Sequence, residues 1–316
     1  MNHVLALSGG VGGAKLALGL TRVLPPGALT VVVNTGDDFR HLGLAVSPDV
    51  DTLLYTLSGM ADPGQGWGRR DEGWRFMEAL GQLGGPTWFR LGDADLAMHV
   101  ERTRRLALGE TAGAVTDHFR QRLRIATKVV PMSDDEVRTR VRTEQGWVDF
   151  QDYFVRQRCQ PVVRGIVFDG AAAARPCPAL ANLADDATLQ AVVVCPSNPW
   201  LSVDPILALP GVREALRRCP VPVVGVSPLV GGRAVKGPTA KLMTELGLRV
   251  DHAAIASHFQ GLIDVLLVDE RDPRASWPDG IECVVAPTLM QSLADRDRLA
   301  RTVLDVAGRV TPRRPR

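Results

Sequence analysis

The sequence predicts an α/β protein built on a mostly parallel sheet of about six strands, with a mainly helical lobe carrying a small β element inserted after the first strand–helix–strand unit. Short β-branched or apolar runs recur with helical patterns between them, and each run ends in polar or glycine-rich residues. A glycine-rich turn joins the first run to the first helix. Between residues 59 and 170 the alternation lapses, so a core is expected from 1–58 and 171–310, with the lobe at 59–170. The proline-rich tail, 311–316, is expected to fray.

Taken in order, Leu5-Ala-Leu-Ser8 reads as a strand, and Gly9, Gly10, Gly12 and Gly13 form a turn whose backbone can approach a ligand closely. The next helix, through Leu16, Leu18, Leu20 and Val23, offers unpaired N–H groups and a positive dipole end to an anion. Close packing alone would also explain these glycines, because the pattern is neither a P-loop nor a clean dinucleotide fingerprint. Pro25-Pro26 stops the helix, and Leu29–Val33 is apolar throughout, as a parallel strand covered on both faces should be. It ends in Asn34-Thr-Gly-Asp-Asp38, on the side of an open sheet where ligands bind. Ser47-Pro-Asp-Val-Asp-Thr52 precedes the helical run from Leu53, where Asp49 or Asp51 could serve only as a cap.

In the lobe, helices are expected near 74–80, after Trp88–Leu96 and over Thr111–Leu123. Arg102, Arg104, Arg105, Arg120, Arg122 and Arg124 read as solvated faces. Ser133–Glu136 matches a capping box, and residues 137–141 with 147–150 resemble a hairpin. Strands return at 191–195, 221–226, 264–268 and 283–286, a helix opens at Gly237-Pro238-Thr239, and residues 293–307 form the closing helix.

Composition excludes several classes. A formal charge of +2 gives no reason to expect nucleic acid, and the five cysteines lack paired spacing, which argues for reduced thiols in a cytoplasm. No apolar run suits a membrane span and no signal-peptide core opens the chain. Zinc motifs and a nucleophile elbow are missing. What remains is a glycine turn for phosphate, Asn34, Ser197 and Asn198 for ribose or base edges, and the carboxylates Asp37, Asp38, Asp49 and Asp51. Carboxylates beside a diphosphate become useful when Mg²⁺ lies between them. Arg90 is placed to reach a second substrate or to pair with Asp93 or Asp95, and Trp67, Trp74, Trp88 and Trp147 suit either core or a wall for a flat ring.

Read together, Ser8–Lys15, Val33–Asp38, Ser47–Thr52, Arg90–Asp95, Pro131–Asp135, Pro196–Pro199, Val226–Pro228 and Asp269–Asp272 resemble, in order, the blocks of the 2-phospho-lactate transferase (CofD-like) family of coenzyme F420 biosynthesis. The resemblance implies a Rossmann-like core, a homodimer, and Mg²⁺-dependent transfer of a phospholactate, phosphoenolpyruvate or phosphoglycerate unit. The donor would be a guanosine diphospho compound and the acceptor the ribityl hydroxyl of 7,8-didemethyl-8-hydroxy-5-deazariboflavin, with release of GMP. It places Asp51 and Arg90 at the deazaflavin. Ser8, Gly9, Gly10, Gly12, Gly13, Lys15, Asn34, Ser197, Asn198 and Ser227 fall on the nucleotide side, and Asp37 with Asp51 is assigned to Mg²⁺ and to catalysis. No covalent nucleophile is evident, so direct transfer is expected. Related CofD-like proteins that bind nucleotide sugars and act in regulation are the rival reading, disfavoured by Ser47-Pro-Asp-Val-Asp-Thr52. A nicotinamide-dependent oxidoreductase is disfavoured by the missing fingerprint.

Overall fold

A computed structural model describes residues 3–62, 64, 67–235, 237–272 and 277–311. Strand β1 (His3–Ser8) leads through the glycine turn into helix α1 (Gly10–Val23) and strand β2 (Leu29–Val33). A short hairpin of β3 (Phe39–His41) and β4 (Leu44–Val46) comes next, then α2 (Pro48–Leu57). The stretch that follows supplies α3 (Arg75–Gln82), α4 (Asp93–Ala107) and α5 (Ala112–Arg122), the last capped by Thr111. After it come β5 (Lys128–Pro131) and an antiparallel trio, β6 (Arg138–Thr143), β7 (Gly146–Asp149) and β8 (Gly165–Asp169). Strands β9 (Leu189–Val194), β10 (Val223–Val226), β11 (Val265–Asp269) and β12 (Glu282–Ala286) complete the main sheet, which helix α6 (Leu293–Ala307) closes.

The main sheet runs β12-β11-β10-β9-β1-β2-β5, and every pairing in it is parallel. Alternation within the strands explains why. Along β1, Val4 and Ala6 join one buried cluster while Leu5 and Leu7 join the other, and Val31 and Val33 of β2 oppose Val32 in the same way. A strand apolar on both faces can lie only between two layers. The chain starts in the middle of the sheet, winds outward through β2 to β5, then returns beside β1 and winds the other way. This reversal creates a switch point between β1 and β9, where open α/β sheets bind ligands outside their strand ends.

The strand count differs from the sequence expectation. Lys128-Val-Val-Pro131, within the 59–170 stretch, pairs with β2 and makes a seventh strand. Four residues with two interior valines leave too short a run for periodicity to mark. Ser133–Glu136 is not a capping box either: Ser133 Oγ accepts from Asp135 N at 3.0 Å and donates to Arg175 O at 2.7 Å, closing a turn before β6. The alternation of Thr139, Val141 and Thr143 inward, against the arginines between them, makes Arg138–Thr143 a strand. The fraying expected of 311–316 lies outside the described residues except at Thr311, and Gly66 of the 66–70 loop lies outside them as well. No helix among the described residues is long and apolar enough to cross a membrane.

Candidate active site

The turn after β1 meets the end of β9 directly. Gly9 N–H donates to Ser197 Oγ at 3.1 Å, and the Ser197 hydroxyl donates back to Gly9 O at 2.7 Å. A Cβ on Gly12 would sit 2.3 Å from Pro196 O, and one on Gly13 would sit 2.5 Å from Ser8 Oγ. Contact between the two tips therefore requires these glycines, before any ligand is considered. Gly10 differs: it has open space beside it and a φ of +62°, so conformation is its requirement.

The other polar groups of this crest are also paired within the protein. Asn198 Oδ1 accepts from Trp200 N and Leu201 N at 3.0 and 3.1 Å, and its Nδ2 donates to Thr239 Oγ1 at 3.0 Å. Ser227 Oγ lies 2.8 Å from His252 Nδ1, and Lys15 Nζ donates to Met290 O at 3.1 Å. Asn34 donates to Asp49 Oδ2 at 2.9 Å and accepts from Gly36 N at 2.8 Å. These side chains fix the strand tips in register; the surface they offer a ligand is mostly backbone.

Next to this neutral crest lies a group of buried carboxylates. Ser47, the N-cap residue of α2, makes no side-chain cap bond. Instead its hydroxyl donates to Asp38 Oδ2 at 2.7 Å. Asp49 turns to Asn34 and to the amide of Gly10, so a carboxylate already faces the first turn of α1. Burial pushes Asp38 up to about 8 and Asp49 up to about 6. Burial, and then the charge of Asp49, also hold Asp37 well above the usual carboxylate range, and Asp37 Oδ1 is buried without a hydrogen-bond partner.

Asp51 is different. Arg102, reaching across from α4, donates Nη1 to Asp51 Oδ2 at 3.1 Å and Nη2 to Oδ1, and both residues are buried. Arg102 also lines a cleft of about 230 Å³, together with Asp38, Ser47, Ser133 and Arg138, at the ends of β2 and β5.

A family model described as 2-phospho-L-lactate transferase CofD matches residues 4–282 of this chain. The chain belongs to that family. Among its CofD relatives, the phosphoenolpyruvate transferase of Streptomyces griseus is 40% identical over 98% of this chain and 99% of its own. The 2-phospho-L-lactate transferase of Methanopyrus kandleri is 41% identical over 96% of this chain and 97% of its own. A UPF0052-family protein of Bacillus halodurans, at 17% identity, superposes with a TM-score of 0.62 over 96% of this chain and 98% of its own, which establishes the shared fold.

Within this CofD-family fold, Asp51 lies in the first turn of α2 and Arg90 on the loop just before α4. Arg90 is exposed on the loop before α4, its guanidinium 3.9 Å from the centre of the Trp74 ring. Asp93 is committed elsewhere, accepting from Phe76 N at 3.0 Å at the start of α3. Asp95, in the first turn of α4, takes a hydrogen bond from Tyr55 of α2. Of the tryptophans, Trp67 and Trp147 are exposed, while Trp88 joins Phe39, His41 and Phe89 in a cluster with centroids 4.8 to 6.3 Å apart.

Arg102 is the functional candidate that sequence reasoning misplaces. Its expected position was a solvated face with Arg104 and Arg105, which do pair with Glu101 at the surface. Helical spacing held the available signal: Asp95, His99 and Arg102 fall at i, i+4 and i+7, and Asp51 and Tyr55 at i and i+4.

Whether these residues suit a hard divalent cation depends on where positive charge is already supplied. Asp51, Asp95 and His99 each bring a donor atom within 4.8 Å of the others, but Arg102 neutralises Asp51 there. Asp37 has an orphaned buried oxygen and a second carboxylate, Asp49, acting on it, and one or two carboxylates with substrate phosphates are what Mg²⁺ accepts. The Asp37 side fits the ion. Asp51, assigned to the ion together with Asp37, already has a cationic partner in Arg102 on both of its oxygens.

Proposed function

We propose that this CofD-family protein transfers a phospho-carboxylate unit from a guanosine diphospho donor to the ribityl hydroxyl of 7,8-didemethyl-8-hydroxy-5-deazariboflavin, releasing GMP. The observation that carries the reading is the pairing of a backbone-lined crest at the β1–β9 switch point with an acidic tip at Asp37 and Asp49 beside it. A diphosphate would sit on the first, and the second would supply carboxylates for a divalent cation beside it. Relatives named as phosphoenolpyruvate and phospholactate transferases, aligned over nearly the whole chain, support the same reaction class. Nothing in these comparisons favours a nucleotide-sugar-binding regulator.

In this reading Asp37, with Asp49, would hold Mg²⁺, which would offset charge on the phosphate oxygens. Asp51 orients the acceptor hydroxyl and Arg90 meets the ring-bearing part of the acceptor from the lobe. The amides of the crest position the distal phosphorus of the donor. The acceptor oxygen forms its bond to that phosphorus as the bond to GMP breaks, and the hydroxyl proton leaves to solvent. Such a reaction asks mainly for alignment and for charge stabilisation. The protein works as a cytoplasmic homodimer.

Incubating the protein with the deazaflavin, Mg²⁺ and each of the three donors, then weighing products by mass spectrometry, tests the proposal. A phosphodiester of the deazaflavin with stoichiometric GMP is expected from one donor, with inversion at phosphorus. Absence of product from all three, together with tight UDP-sugar binding, would favour the regulator instead.

A further inference from the structure

Helices α2 and α4 meet along a buried polar seam. Asp51 and Tyr55 lie one turn apart on α2, and Asp95, His99 and Arg102 occupy one face of α4. Arg102 Nη1 reaches Asp51 Oδ2 at 3.1 Å, His99 Nδ1 at 3.2 Å and Ala45 O at 3.3 Å, while Nη2 takes Asp51 Oδ1. A guanidinium only donates, so His99 Nδ1 accepts and the proton of the neutral ring sits on Nε2. Nε2 lies 3.2 Å from Asp95 Oδ2, off the direction of a good hydrogen bond, and Tyr55 donates to the other oxygen of Asp95. Asp51, His99 and Arg102 are each at most 5% exposed.

Stability gives a poor reason for such a seam. Well-packed apolar residues of similar volume often replace a buried ion pair without loss. What apolar residues cannot do is hold the plane of a carboxylate. The two-pronged bond takes one lone pair from each oxygen of Asp51 and leaves the second free on each. It also ties that carboxylate to the lobe helix next to the loop bearing Arg90.

We propose that Arg102 is a positioning residue of the acceptor site: it sets the orientation of Asp51 toward the incoming hydroxyl, and His99 sets the orientation of Arg102. This rests on the reading of Asp51 as the acceptor's anchor. The assignment concerns the acceptor alone, so the donor half should not feel it.

Steady-state kinetics of Arg102→Met, Arg102→Lys and Asp51→Asn, with acceptor binding followed by fluorescence of the deazaflavin ring, test the proposal. Arg102→Met should weaken acceptor binding about tenfold to a hundredfold, the usual worth of a charged hydrogen-bonded contact, with donor KM within about twofold of wild type. Arg102→Lys should recover part of the loss, because an ammonium cannot span both oxygens. Guanidinium ion at millimolar concentration should partly restore acceptor binding in Arg102→Ala while donor KM stays within about twofold, a split that a merely structural role would not produce.

A folded Arg102→Met with normal acceptor binding and turnover overturns the proposal. So does equal weakening of donor and acceptor. If the methionine variant does not fold, the lysine variant decides by the same ratio of the two effects. Asp51→Asn separates the two readings: full acceptor affinity in that variant removes the anchor role of Asp51 itself, whereas lost affinity there with none lost in the Arg102 variants removes only the role of Arg102.

Discussion

The two sides of β1 hold polar groups under opposite conditions. Toward β9 and β10, Ser197, Asn198 and Ser227 are neutral and hydrogen-bonded inside the protein. Toward β2 and α2, four carboxylates are drawn into the protein, and among the described residues Asp51 is the one of the four that makes an ion pair. The first side is a rigid seat, satisfied before anything binds. The second crowds together acidic groups that a folded chain would discard if stability were the only demand. Strain of this kind persists where function uses it.

Breaking the compensated carboxylate should have the largest effect. Asp51→Ala leaves the Arg102 guanidinium buried and unpaired, at a cost of about 3–5 kcal/mol, and removes the acceptor anchor. Urea unfolding and a product assay should show both losses; a variant of normal stability and turnover would contradict the pairing.

On the neutral side, Gly12→Ala drives a methyl against Pro196 O, 2.3 Å from the position it would take. Overpacking there should cost about 1–3 kcal/mol and weaken donor binding while acceptor binding stays within twofold. Calorimetric titration with GDP, and with the deazaflavin alone, would show whether the two halves separate in this way.

The uncompensated carboxylates set a pH dependence. Asp38 and Asp49 have native values near 8 and 6, above the unfolded value of about 3.8, so the native state holds more protons between those limits. Stability in the absence of metal should therefore fall as pH rises from about 4 to 8. Mg²⁺ should add little to Tm at pH 5 and more at pH 8, where fewer protons compete for the site. A metal effect independent of pH would mean that the ion binds elsewhere.

The smallest change is expected at Arg90. Its exposed stack on Trp74 is worth about 0.5–1 kcal/mol, so Arg90→Ala should barely alter unfolding. Acceptor KM should nevertheless rise several-fold with donor KM unchanged. A rise in donor KM instead would move Arg90 to the other half of the site.

Much of the fold was legible because it is local. Runs such as Leu29–Val33 carry their own burial pattern, and the closing helix at Leu293–Ala307 has its limits written in capping and periodicity. The site was legible in part. Asp37, Asp38, Asp49 and Asp51 stand at strand and helix ends, where sequence alone marks them, but their partners come from distant segments. Ser133–Glu136 misled because a serine close before acidic residues satisfies a turn before a strand as readily as a helix start.

For the runs long enough to show a period, the sequence determined by itself which apolar residues face inward and about where each run ends, because both depend on periods of two or 3.6 residues and on the preferences of glycine, proline and capping groups. Tertiary structure alone decided which charge is answered. Arg102 and Arg105 stand three residues apart on one helix, yet the first is buried against Asp51 and the second meets Glu101 and Glu110 at the surface. The way α4 lies against α2 makes that choice, and helix contacts depend on packing between segments that no local pattern specifies.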